Sequence, residues 1–175
     1  MLTEYQITNF KSFSNPASIP IKPITLIFGP NSSGKSSIFQ SLLMLKQTLD
    51  ARLREPKLLT TGPDVDLGKY AELVYGHDVK RDFTVKITMD RPDDLSEFFP
   101  IEKYLELGSN LDPRFMRLNS IGKFKTIRLA ISFSYDERFS ATVSKIDLFL
   151  GNGLTPIMTY CNLTDTDFRV TAFGN

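Results

Sequence analysis

The sequence has one cysteine, Cys161, one histidine, His77, and no tryptophan among 175 residues. A single thiol excludes an internal disulfide and fits a reducing cytosol, so the expected compartment is cytoplasmic. One histidine and one cysteine leave a zinc site almost nothing to bind with. An excess of charge is also missing, since 21 Lys+Arg against 20 Asp+Glu give a formal net charge of +1. That balance supplies no overall drive toward nucleic acid or a membrane surface. A dimer could still concentrate one basic patch, so nucleic acid stays open as a partner. No apolar run approaches the ~20 residues of a membrane span, and the polar start MLTEYQITNFKS is no signal peptide. What is left is an ordinary globular composition, 41% hydrophobic and 23% charged. The length suits one substantial domain or two small ones.

One stretch carries specific chemistry. TLIFGPNSSGKSSIFQSLLML contains the pattern G-x-x-x-x-G-K-[ST], with Gly29, Gly34, Lys35 and Ser36 at the fixed positions. Gly29 and Gly34 let the backbone turn so that successive N–H groups of Asn31, Ser32, Ser33 and their neighbours line one concavity, while Pro30, which has no N–H, is expected to help shape it. The N-terminus of the following helix adds unpaired N–H groups and partial positive charge. Lys35 is placed to reach the β- and γ-phosphates of a nucleotide, and the Ser36 hydroxyl to bind the Mg²⁺ that bridges them. Ser33 and Ser37 can add hydroxyl contacts. The surroundings fit this reading. Ile24, Leu26 and Phe28 alternate as a strand, and Ile38, Leu42, Leu45 and Leu49 recur at helical spacing with Phe39 and Leu43 beside them. The expected cofactors are ATP and Mg²⁺.

Elsewhere the pattern is largely β. Tyr5 and Ile7, then Ile19 and Ile21, read as two strands around the turn SNPAS. The helix from about Ser36 to Leu49 is expected to stop ahead of Pro56, and Lys46, Arg52, Arg54 and Lys57 read as its solvated basic end. TTGPDVDLGKYAELVYGHDV suggests a loop and a short helix punctuated by glycines. Phe83, Val85, Ile87 and Met89 alternate as a strand, and residues 91–122 read as an insertion. Ile127, Leu129, Ile131, Phe133 and Tyr135 form another strand, and the turn DER returns the chain through Phe139, Ala141 and Val143. The phase then slips to Ile146, Leu148 and Leu150, which predicts a bulge near Ser144. TPIMTYCNL and FRVTAF read as two further strands.

Hairpins after the helix argue against a simple parallel doubly wound fold, an ordinary small-molecule kinase or a GTPase. They predict an α/β protein, more narrowly an α+β lobe. It would be the N-terminal half of a P-loop NTPase, with a mixed core sheet and an additional antiparallel sheet.

ITNFKSF at residues 7–13, followed by ITLIFGPNSSGKSSIFQSLLML, resembles the start of the ABC-type ATPases of the SMC, RecF and OLD-like group. GPDVDLGKYAELVYGHD resembles a segment of bacterial OLD-like AAA ATPases. The likeness is concentrated in the first eighty residues or so. It implies that Asn9, Lys11 and Ser12 contact base, ribose or phosphate, and that Asn31 positions the γ-phosphate or the attacking water. It also implies work in DNA maintenance or phage defence, with two ATPase heads sandwiching ATP. The partner would be a second copy, or a complementary lobe or effector subunit.

The family's second half should contain a signature motif and an apolar run ending in Asp-Glu. Neither is present. FSYDE offers Glu137 as the nearest candidate for activating water, although its Asp136–Glu137 also fits a hairpin turn. Asp147 lacks a following glutamate. The glutamine that links lobes in the family is unassigned, and Gln40 and Gln47 read as surface residues of the helix. His77 beside Asp78 reads as a structural histidine, and Cys161 as a small buried hydrophobe. Residues 1–175 are therefore expected to be an N-terminal ATPase lobe whose second lobe is absent, binding nucleotide without turnover by itself. A self-sufficient P-loop kinase using DPRF or YDER carboxylates, and a non-catalytic assembly module, are the alternatives.

Overall fold

The computed structural model describes residues 1–53, 55–90, 124–138, 140–162 and 168–172. Seven strands form one sheet: β1 (Leu2–Thr8), β2 (Ala17–Pro20), β3 (Phe83–Asp90), β4 (Thr126–Asp136), β5 (Ser140–Leu150), β6 (Met158–Asn162) and β7 (Phe168–Ala172). Their order is β2-β1-β3-β4-β5-β6-β7 and every pairing is antiparallel. The helix α1 (Lys35–Asp50) and the short α2 (Tyr70–Leu73) with a 3₁₀ turn (Tyr75–His77) complete the described elements.

Alternation decides which face is the core. Tyr5, Ile7, Phe83, Val85 and Phe133 occupy one face, in register as Ile7↔Val85 and Phe83↔Phe133, and all five are buried. The Phe83 and Phe133 rings stack at 4.9 Å. Ile38 and Met44 of α1, Leu58, and Tyr70, Leu73 and Val74 around α2 close over them. The opposite face carries Glu4, Gln6, Thr84, Lys86, Thr88 and Ser132. The bulge predicted near Ser144 is present: Ser132 pairs with Lys145, but Phe133 pairs with Val143, so Ser144 is the extra residue. It returns Ile146, Leu148 and Leu150 to the apolar face, opposite Ile131, Leu129 and Ile127.

Three expectations need correction. Residues 24–28 pair with no strand, so the described residues hold no mixed core sheet, only the antiparallel one. A strand needs a neighbour for its N–H and C=O groups, and alternation alone supplies none. Ile38, Leu42 and Leu45 of the expected stripe do pack on the core, together with buried Ser41, Met44 and Gln47, but Leu49 is left exposed. The apolar stripe sets the buried face approximately, and apolar Phe39, Leu43 and Met44 lying off it leave the exact face open to polar contacts. Polar partners chose it: Tyr5 Oη donates to Ser41 Oγ at 2.8 Å, and Gln47 Nε2 donates to the Leu59 carbonyl at 2.8 Å. Gln47 is thus a core residue. The helix ends at Asp50, close to the expected Leu49 and ahead of Pro56, with Ala51 as its cap and the φ of 47° at Arg52 turning the chain away.

The expected insertion at 91–122 lies outside the described residues, as do Arg54 and Phe139. Cys161 on β6 is half-buried. No helix among the described residues is long and apolar enough to cross a membrane.

Candidate phosphate-binding site

The loop that precedes α1 is built for an anion at its mouth. Gly34 caps the helix with φ +91° and no side chain, and the first turn has no acidic residue. The N–H groups of Lys35 and Ser36 therefore meet no described protein acceptor. Ser32 also takes a positive φ, 64°. Backbone strain of this kind persists where surrounding structure over-determines it, and it clusters at ligand clamps.

The NFKSF turn is pressed against this loop. Phe10 and Phe13 exchange backbone hydrogen bonds at 3.0 and 2.8 Å. Lys11 N donates to Leu73 O at 2.6 Å, and Tyr75 N donates to Asn9 O at 3.1 Å, which ties the turn to the α2 segment. Asn9 and Lys11 both have positive φ, 57° and 48°. A Cβ on Gly34 would lie 2.3 Å from Ser12 Oγ and 2.8 Å from Phe13 Cζ, so the two loops touch only because residue 34 has no side chain.

Between them lies an open cleft of about 310 Å³, lined by Lys11, Ser12, Asn31, Ser32, Gly34, Lys35, Ser36 and Ser37. Two lysines, four serines, one asparagine and an uncapped helix end, with no carboxylate, form an anion receptor by composition. Lys35 Nζ now donates to the carbonyls of Gly29 at 2.8 Å and Pro30 at 2.6 Å. Phosphate oxygens are stronger acceptors than neutral carbonyls, so an entering nucleotide would draw the ammonium away from them. Lys11 Nζ is held by Gln40 Oε1 at 3.0 Å. Burial lowers its pKa, against an opposing pull from Glu72, as expected of an ammonium with part of its water removed. The donor set fits a polyphosphate, and Ser36 offers the hydroxyl for a divalent cation. Among the described residues no cluster of acidic, histidine or cysteine side chains could hold a metal unaided.

Residues 1–152 match the AAA ATPase domain family. The chain belongs to that family. Membership makes this an ATPase-type nucleotide-binding domain, and nucleotide with Mg²⁺ is the usual requirement. No curated protein matches the sequence.

The structure gathers most of the candidate residues. Lys11, Ser12, Asn31, Ser32, Gly34, Lys35, Ser36 and Ser37 line the cleft, while Gly29 and Pro30 shape it through their carbonyls. Ser33 Oγ packs on Gly29, where a Cβ would meet it at 2.9 Å. Asn9 is not at the cleft. It is buried, and its Nδ2 donates to the Asp82 carbonyl at 2.7 Å, so it braces the turn. Glu137 is exposed in the β4–β5 turn, where Arg138 N donates to Asp136 Oδ1 at 2.9 Å, and it does not line the cleft. Asp147 pairs with Thr159 and Lys145 at 2.5 and 2.7 Å. His77 Nδ1 sits 2.7 Å from the Ala71 carbonyl, a structural contact. Gln40 is the residue that sequence reasoning missed. Its place one turn along α1, on the side facing Lys11, is a tertiary fact with no sequence signal.

Proposed function

We propose that this chain is the ATP-binding lobe of an SMC/RecF/OLD-like member of the AAA ATPase domain family, and that hydrolysis needs groups from outside it. One observation carries the reading: the cleft has every group needed to hold phosphates and no carboxylate to activate water. Lys35 and the uncapped N–H groups of α1 would grip the β- and γ-phosphates, with Lys11 as a second cation across the cleft. Ser36 would direct its hydroxyl to Mg²⁺, which when bound neutralises phosphate charge. Asn31 and Ser12 would orient the nucleotide from opposite walls.

A preformed cation-rich cleft favours binding in the ground state, and rate enhancement needs a positioned base or water-orienting group in addition. The missing groups would come from a complementary lobe or a second ATPase head, so that ATP promotes association and hydrolysis releases it. Service in DNA maintenance or phage defence follows only from the family likeness.

Titration calorimetry with ATP–Mg²⁺ tests the reading, alongside phosphate release by the same protein. Binding is expected in the wild type and is expected to fall about a hundredfold or more in Lys35→Ala, as for loss of a charge-assisted contact with roughly 3 kcal/mol at stake. Turnover by the isolated chain above the uncatalysed rate would refute the reading.

A further inference from the structure

Lys11 reaches the cleft from a backbone that is held in place. Its own N–H donates to Leu73 O at 2.6 Å, its neighbour Phe10 bridges to Val74, and its φ is 48°. The side chain is another matter. A lysine stem is flexible and loses much rotamer freedom when it is fixed, so its ammonium points one way only if a partner directs it. One acceptor does so: Gln40 Oε1 takes a hydrogen bond from Lys11 Nζ at 3.0 Å, and Gln40 is half-buried. Gln40 follows Ser36 by four residues on α1, so the two share a face of the helix. Helical side chains lean toward the N-terminus. The amide therefore leans toward the phosphate loop from one turn behind the Ser36 hydroxyl.

A second group competes for the same ammonium. Glu72 on α2 attracts Lys11 electrostatically, yet it does not line the cleft, and the two form no ion pair. Its carboxylate rests over Gly68 instead, which has φ +76° and where an added Cβ would clash with Glu72 Oε2. The two acceptors differ in what they do to the lysine. A carboxylate binds an ammonium more strongly and cancels its charge, whereas an amide oxygen orients it and leaves the charge intact. An ionised phosphate oxygen displaces an amide more readily than it displaces a carboxylate. Lys35 is held in the same manner, on the neutral carbonyls of Gly29 and Pro30. Both cations of the cleft thus rest on neutral oxygens.

We propose that Gln40 is a positioning residue for nucleotide binding: its neutral amide holds the Lys11 ammonium at the cleft for a phosphate oxygen and away from the Glu72 carboxylate. The inference rests on the proposed ATP site and adds the residue that keeps its second cation available. Without Gln40, Lys11 turns to Glu72 and its charge is lost to the cleft. Gln40 acts through Lys11. Its effect on ATP therefore vanishes when Lys11 is removed, and is reversed when Glu72 loses its charge.

The test is titration calorimetry with ATP–Mg²⁺ on the full chain and its variants, with urea denaturation to establish that each is folded. Lys11→Ala should weaken ATP roughly 10- to 100-fold, as for loss of one charge-assisted contact. Gln40→Leu, which is close in volume, should weaken it at least about fivefold. Combined with Lys11→Ala, Gln40→Leu should add nothing, the signature of a residue that acts through another. Glu72 is exposed, so Glu72→Gln should fold normally. Added to Gln40→Leu it should recover most of the lost affinity, and only while Lys11 is present. Equal ATP affinity in wild type and Gln40→Leu, an undiminished Gln40→Leu effect in the Lys11→Ala background, or no recovery from Glu72→Gln would each overturn the inference. Lys35→Ala keeps the two readings apart. Loss of ATP there, with wild-type affinity in Gln40→Leu, refutes only the positioning role. A wild type that binds no ATP–Mg²⁺ refutes the ATP site and the positioning role together.

Discussion

Replacing Gly34 by alanine tests whether the NFKSF turn and the phosphate loop are held together by close contact. Two costs add. The residue sits at φ +91°, and a left-handed backbone costs a non-glycine residue ~1–2 kcal/mol. The new Cβ would also fall 2.3 Å from Ser12 Oγ and 2.8 and 2.9 Å from the Phe13 ring. Ser12 Oγ can rotate away, but the Phe13 ring packs against the main core cluster and cannot retreat freely. Overpacking of that kind costs ~1–3 kcal/mol. The expected destabilisation is therefore ~2–5 kcal/mol, a large share of the ~5–15 kcal/mol of a typical domain. Gly76→Ala supplies the control, because Gly76 also has positive φ, 67°, but nothing lies within 4 Å of its Cβ position. It should lose only the backbone portion, ~1–2 kcal/mol. Urea denaturation followed by circular dichroism measures both. Phe13→Leu should relieve part of the Gly34→Ala cost and none of the Gly76→Ala cost. Equal destabilisation by the two alanines would refute the close-contact account, and so would an unchanged ATP affinity in Gly34→Ala.

Burial raises the Tyr5 phenol from 10.0 to about 12, opposed by its bond with Ser41. The folded state holds this proton more tightly, so Tyr5's contribution is complete below pH 10 and is lost as pH rises through about 12. Tyr70 is shifted the same way, by burial first and Asp82 second. The urea midpoint should therefore fall across this alkaline window, and Tyr5→Phe should flatten the slope without abolishing it. Gln47→Leu strips partners from the Leu59 carbonyl and the Val65 amide, at 2.8 and 3.1 Å. A loss of about 2–3 kcal/mol in urea denaturation is expected, where a surface glutamine would lose almost nothing. Deleting Ser144 should turn Ile146, Leu148 and Leu150 to the polar face of the sheet. Loss of the cooperative unfolding transition is the expected result. Ser144→Ala removes only the bonds to Asp82 Oδ2 and the Ser132 carbonyl and should cost about 1 kcal/mol.

The elements whose physics is local were legible in the amino-acid pattern. Alternation at Phe83, Val85, Ile127 and Leu129 specifies strands, because successive side chains must point to opposite faces. The slip in phase after Val143 specifies a bulge, since one extra residue is the simplest way to keep a hydrophobic face continuous. The loop's glycine spacing was equally legible, because it sets the direction of the backbone N–H groups ahead of α1. Tertiary structure decided what depends on a partner distant in the chain. Residues 24–28 have a strand's alternation, yet whether they join a sheet depends on a neighbour that the described residues do not contain. On α1 the apolar stripe indicated the face, but the burial of Ser41 and Gln47 depends on bonds to Tyr5 and Leu59 that the sequence does not show. Asn9 and Lys11 are two residues apart in one motif, but one braces the Asp82 backbone and the other faces the cleft. Both residues take positive φ, and the sequence pattern does not encode which side chain turns to the core and which to the cleft.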